Sequence, residues 1–503
     1  MFVKRLILSL ITVLAILSVT FSLIKSFAEP QIQSKLELYQ TNLILNASEL
    51  AKSSDLTMKN VLQTLGGENP LKSAATQYIE AIKNDEKIVK QLETELNNNQ
   101  NKKLEQLTNK LNEVSKVIDE LNLRLGVIYA QDARLKDAAK TWEVVINNNS
   151  SLSSTGKALI NLFQEKEINF TETEKLINKH LEKWFRYQTL SKLYQVTNHQ
   201  TELLTIQQKA AKISEQALFK LVIIGAIPFL GSLIGVGLLI FSILQWGIYK
   251  LRSEKQAETD NLPVLVFNNT TWETAWDGEI IWQVLIAGFF FISQVFLPLV
   301  LTIFKQKLPH LDTRGEAIWI LITYLLMSGG SIGVLYLSIK SFFPLSENWF
   351  KFELKITSFL WGLGGYMTAI PLVIVVSLIN QQIWQGQGGS NPILSIALEN
   401  NDLVTLGIFF MTAAILAPIF EEILFRGFLL ASLTKYLPNW GAIALSSLIF
   451  AIAHLSPSEI LPLTTLGMVL AFVYTKTKNL LSPMLLHCLW NTGTLLSLFL
   501  LGS

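Results

Sequence analysis

The sequence predicts an all-α protein: a polytopic membrane helical bundle with an N-terminal exported α-helical domain. Three observations predict it. Of 503 residues, 50% are hydrophobic and only 16% are charged, whereas a soluble chain carries about 25% charge. The apolar residues are unevenly placed: long apolar runs crowd the chain after Leu221, while Lys, Glu, Asn and Gln crowd residues 31–215. Proline is scarce in residues 31–215 and Leu/Ile recur at spacings of three to four, the helical period. The net charge of +2 and the lack of a dense basic cluster give no reason to expect nucleic acid. The single cysteine, Cys488, excludes an intramolecular disulfide and a cysteine-based zinc site.

The first element is an apolar run from Leu6 to Ile24 behind Lys4 and Arg5, which suits a signal anchor at residues 1–28. A cleaved signal peptide is the rival reading, with Ser26 and Ala28 at acceptable −3 and −1 positions. Either way, Lys4 and Arg5 stay in the cytoplasm and residues 31–215 are exported. Within that region Gln91–Leu123 is amphipathic and reads as a helical hairpin or short coiled coil. Leu125, Gly126, Tyr129, Ala133, Ala138 and Trp142 follow at offsets that resemble one tetratricopeptide repeat. Leu190, Tyr194, Asn198, Leu203 and Gln207 form a weaker echo. The region is read as a tetratricopeptide-like domain offering a groove to a protein partner, with an ordinary helical hairpin as the alternative.

Further spans are expected near Leu221–Tyr249, Ile280–Phe304, Ala317–Ile339, Ile356–Ile379, Leu403–Leu433, Gly441–Leu455, Leu461–Thr475 and Leu480–Leu501, nine with the anchor. Gly441–Leu455 and Leu461–Thr475 are short for full crossings and suit a bundle interior. Lys250, Arg252 and Lys255, then Lys340, Lys351 and Lys355, then Arg426 and Lys435, then Lys476 and Lys478 fall on the cytoplasmic side of this scheme. The loop at 381–401 has no Lys or Arg, whereas Lys305, Lys307 and Arg314 break the pattern.

Chemistry concentrates in the last third. Glu421 and Glu422 are adjacent within an apolar stretch, where each charge costs about 2.5–3.5 kcal/mol on insertion scales. Arg426 lies four residues after Glu422, so the two share a helix face and can pair. Glu421 projects about 100° away and is left for other work. Phe450 and His454 form a second i, i+4 pair, and His487 and Asn491 a third. A lone membrane histidine is usually a packing residue; three such sets on consecutive elements are harder to assign to chance. At 1.5 Å per residue, Glu421, His454 and His487 lie roughly 18, 20 and 10 Å from the same face, all within the bilayer and able to meet in one polar pocket.

These blocks, Glu-Glu-x-x-x-Arg, Phe-x-x-x-His and His-x-x-x-Asn in this order, resemble the three motifs of the CAAX-protease and bacteriocin-processing family, over about residues 355–501. None of the motif residues departs from the pattern. The resemblance implies an intramembrane endopeptidase acting on a membrane-associated protein or peptide in the lipid bilayer. It gives Glu421 the role of general base on water, helped by His454. It gives His487 and Asn491 the oxyanion, and Glu422 and Arg426 a structural pair. The implied domains are 1–28, 31–215, 218–354 (additional transmembrane helices) and 355–503 (the protease domain). No cofactor or metal is expected, although two Glu and two His could bind zinc; there is no His-Glu-x-x-His motif. The alternatives are a non-catalytic scaffold or self-immunity protein binding a partner through residues 31–215, and a proton-coupled transporter. A transporter would show paired internal repeats, and no duplication is visible.

Overall fold

The computed structural model describes residues 2–27, 29, 31–52, 69–98, 104–251, 263–267, 271–305, 311–390, 392–399 and 402–502. Ala28 of the cleavage-site reading, and Arg252, Lys255 and Lys307 of the charge pattern, lie outside the described residues. The described residues are helical and contain no β-strand. They fall into two compact units, Gln33–Gly225, and Met1–Ile32 with Ala226–Ser503. In chain order the helices are α1 (Phe2–Phe27), α2 (Gln33–Ser48), α3 (Pro70–Asn98), α4 (Leu104–Gln131), α5 (Leu135–Asn147), α6 (Ser153–Phe163), α7 (Phe170–His180), α8 (Lys183–Val196) and α9 (Gln200–Leu251). Then come α10 (Gly278–Lys305), α11 (Thr313–Phe342), α12 (Ile356–Trp384), α13 (Pro392–Glu399), α14 (Leu403–Leu433), α15 (Asn439–Ile452), α16 (Pro457–Thr477) and α17 (Leu481–Gly502).

In the Gln33–Gly225 unit, α4 and α5 close as a hairpin around the residues singled out above. Gly126 lies directly beneath the Trp142 indole: a Cβ there would sit 2.2 Å from Nε1, so any side chain would push the helices apart. Trp142 Nε1 donates to the Leu123 carbonyl at 3.0 Å, and Ala138 is fully buried in the seam. Tyr78 carries the core onward to α2, donating to Asn42 Oδ1 at 2.7 Å.

The other unit holds the apolar helices. Eight helices are long and apolar enough to cross a membrane: α1, α9, α10, α11, α12, α14, α16 and α17. The ninth expected span is α15, only 14 residues long, or about 21 Å against a hydrocarbon core of about 30 Å. Outward residues of α9 such as Leu230, Leu233, Ile234, Phe241 and Leu244 are exposed, as contact with lipid requires. The interior is aromatic. Trp276 stacks on Phe428, packs against Trp349, and donates to Ser432 Oγ at 2.9 Å. Helix α1 is built into this unit: Ala15 is buried, Ser18 Oγ donates to the Gln294 carbonyl at 3.1 Å, and Lys4 and Arg5 pair with Glu279 at 3.1 and 3.0 Å.

Among the described residues, two of the charges that break the sequence pattern, Lys305 and Arg314, are paired. Lys305 reaches Glu316 at 3.3 Å. Arg314 grips Asp402 with two nitrogens, at 2.9 and 2.6 Å. Asp402 in turn caps α14, accepting from the Thr405 backbone nitrogen at 3.0 Å. The Arg314 guanidinium, with the Thr405 N–H and hydroxyl, holds the Asp402 carboxyl well below the usual carboxylate range. The start of the glutamate-bearing helix is thereby fixed.

Candidate active site

Helix α14 is α-helical at both ends and twice widens into π-helical turns, at Met411–Leu416 and again at Glu422–Leu430. The two glutamates straddle the start of the second widening and meet different surroundings. Glu422 is 0% exposed and Arg426 1%, and they pair at 2.8 Å as their spacing implies. Arg426 also donates to the Gly467 carbonyl at 3.2 Å and lies 4.4 Å over the Phe450 ring. Glycine at 467 lets α16 come close: a Cβ there would meet Ser447 of α15 at 2.9 Å. The Glu421 side chain remains 16% exposed, and its closest ion-pair approach is 3.9 Å, to His487 Nε2. That is too long for a hydrogen bond. The pair is therefore divided into a buried carboxylate, whose Oε1 takes Arg426 and His487 while Oε2 is unpartnered, and one left partly open.

His487 stands between them. Its Nδ1 lies 2.8 Å from Glu422 Oε1 while Nε2 faces Glu421. A carboxylate only accepts, so Nδ1 carries the hydrogen, and Nε2 can donate only when the ring is an imidazolium.

His454 is placed differently from the expectation. The span taken as Gly441–Leu455 stops at Ile452, and His454 sits in the turn beyond, followed by Leu455 in the left-handed region at φ 57°. The His454 backbone N–H turns to the Ala451 carbonyl at 3.2 Å, leaving the Phe450 carbonyl to His454 Nδ1 at 2.8 Å. The side chain thus caps its own helix. With Nδ1 donating to a carbonyl, Nε2 carries a lone pair.

Asn491 Nδ2 donates to the Ala413 carbonyl at 2.8 Å, tying α17 to the first π-turn of α14 and leaving its second amide hydrogen unused by that bond. Phe450 joins the histidines: its ring meets His454 edge-on at 4.8 Å and His487 at 5.8 Å, with Arg426 above it. The sequence reading used Phe450 only as a motif letter. It missed Tyr324 of α11, whose ring packs edge-on against Phe420 at 6.2 Å. A tyrosine far from either end of an apolar helix, away from the interfacial belts, was the signal available.

Residues 403–493 match the family described as type II CAAX prenyl endopeptidase Rce1-like. The chain is 27% identical over 230 residues to the membrane-embedded CAAX protease MroQ of Staphylococcus aureus (strain USA300), covering 42% of this chain and 87% of that protein. It is 30% identical over 135 residues to the putative membrane peptidase YdiL of Bacillus subtilis (strain 168), covering 27% of this chain and 54% of that protein. No solved structure matches.

Proposed function

With residues 403–493 forming a domain of the Rce1-like, type II CAAX prenyl endopeptidase family, we propose that Glu421 activates the water that hydrolyses a peptide bond within the membrane unit. The chain is a multi-pass membrane protein and an endopeptidase of CAAX type, a hydrolase. The observation that carries the assignment to Glu421 is the division of the glutamate pair: Glu422 is fully buried against Arg426 and His487, and Glu421 is partly open.

In this reading Glu421 takes one proton from water as the oxygen attacks the scissile carbonyl carbon. His454 Nε2 accepts the second hydrogen of the same water and so orients it. The carbonyl oxygen becomes an oxyanion, which receives hydrogen bonds from the free amide hydrogen of Asn491 and from His487 Nε2 as imidazolium. Glu422, whose Oε1 lies 2.8 Å from Nδ1, is the counter-charge of that imidazolium while Glu421 holds the proton. The carbon–nitrogen bond then breaks and Glu421 returns its proton to the leaving amine. No step calls on a metal. The test is cleavage of a membrane-associated peptide by the detergent-purified protein, wild type beside Glu421→Gln, with a strong chelator present throughout.

Lys4 and Arg5 ahead of the first span support a non-cytoplasmic position for residues 31–215. Protease added to intact spheroplasts should degrade this region; digestion only after lysis would reverse the orientation. The tetratricopeptide-like reading makes the region a recruiter of substrate or partner through its helical surface. Removing 31–215 while keeping α1 should raise KM for the natural substrate and leave kcat nearly unchanged. A folded truncation that cuts no peptide would refute recruitment and make the region part of the catalytic machinery.

A further inference from the structure

We infer that Tyr324 is a positioning residue for the base, its hydroxyl donating a hydrogen bond to the Glu421 carboxylate. Tyr324 lies on α11, outside the matched residues 403–493. Its ring packs edge-on against Phe420, the residue before Glu421. The hydroxyl is buried, and neither it nor the buried hydroxyl of Ser328, one turn further along, has a hydrogen-bond partner. Glu421 is within electrostatic reach of that hydroxyl.

An unpaired hydroxyl in an apolar interior costs free energy, and inside a membrane unit bulk water cannot relieve it. Phe420, against which the ring packs, offers no acceptor; of the two polar groups in reach, the Ser328 hydroxyl and the Glu421 carboxylate, only the carboxylate is purely an acceptor. Rotation of the Glu421 side chain brings that acceptor onto the hydroxyl. The bond would hold one carboxylate oxygen against α11 and present the other toward His487, where the water must sit. Glu422 needs no such device, because Arg426 and His487 already fix it. The hydroxyl is a donor whose geometry matters when Glu421 is charged, so its role belongs to turnover.

This inference rests on Glu421 being the base. The test is Tyr324→Phe, which keeps the ring packed on Phe420 and removes only the hydroxyl. Hydrogen bonds to charged groups at this strength predict a kcat lower by roughly tenfold to a hundredfold. KM and the thermal midpoint should stay at the wild-type values, a split that a merely structural tyrosine would not give. Rates are taken on the monodisperse folded fraction, so reduced accumulation does not blunt the reading. Wild-type kcat in Tyr324→Phe, with Glu421→Gln inactive, overturns the tyrosine's role and leaves the function standing. Equal falls in thermal midpoint and kcat also overturn it, since packing would then be the cause. Full cleavage by Glu421→Gln removes the base itself and the tyrosine's role with it.

Discussion

Glu421→Gln is expected to accumulate in the membrane at the wild-type level and to lose cleavage by roughly a hundredfold to ten-thousandfold, the range attributed to general-base catalysis. The expectation follows from what Glu421 does not hold together. It makes no ion pair closer than 3.9 Å, and its side chain is 16% exposed. Glutamine has the same shape and cannot take a proton from water. Removing a charge from a membrane helix relieves an insertion cost, so the folded protein has no reason to decline. The measurement is a turnover rate on a membrane-associated peptide beside a thermal midpoint in detergent. Retained turnover would sink the base assignment. Lost turnover together with lost folded protein would make Glu421 a structural residue.

What could be read from the sequence was what depends on near neighbours. The Glu422–Arg426 pair is fixed by a four-residue spacing and meets at 2.8 Å. The long apolar helices were visible because a membrane demands length and composition, both local properties. Contacts between distant helices were not visible. The bond from His487 to Glu422 joins positions 65 apart and depends on how two helices are rotated. The approach of Tyr324 to Phe420 and Glu421 depends on the tilt of α11, which apolar composition leaves unspecified. The two π-turns of α14 leave no mark in the hydrophobic pattern, although they set the register of both glutamates. The end of α15 before His454 is decided by which group takes the Phe450 carbonyl, a single hydrogen bond. Asp402 and Arg314 stood out in the sequence only as an exception to a charge rule, and the fold uses them to cap the glutamate helix.

Arg426→Ala is expected to act on the fold before it acts on chemistry. Arg426 is 1% exposed and Glu422 0%, and the arginine also donates to Gly467 and covers the Phe450 ring. Its removal leaves a buried carboxylate with His487 as its remaining partner, a change of about 3–5 kcal/mol for a broken buried pair. That is comparable with the whole stability of many domains, about 5–15 kcal/mol. Little folded Arg426→Ala protein should therefore reach the membrane. The double change Glu422→Leu with Arg426→Met gives the decisive comparison. Apolar side chains of similar volume can replace a buried ion pair at little or no cost, so accumulation and thermal midpoint should return toward wild type. Cleavage should not return. Without Glu422, His487 Nδ1 loses the acceptor 2.8 Å away that orients its ring, and Nε2 is no longer aimed at the Glu421 carboxylate. A single variant that accumulates normally would show that the pair contributes little to folding. A double variant that regains full turnover would show that Glu422 serves the fold alone and that His487 is oriented by something else.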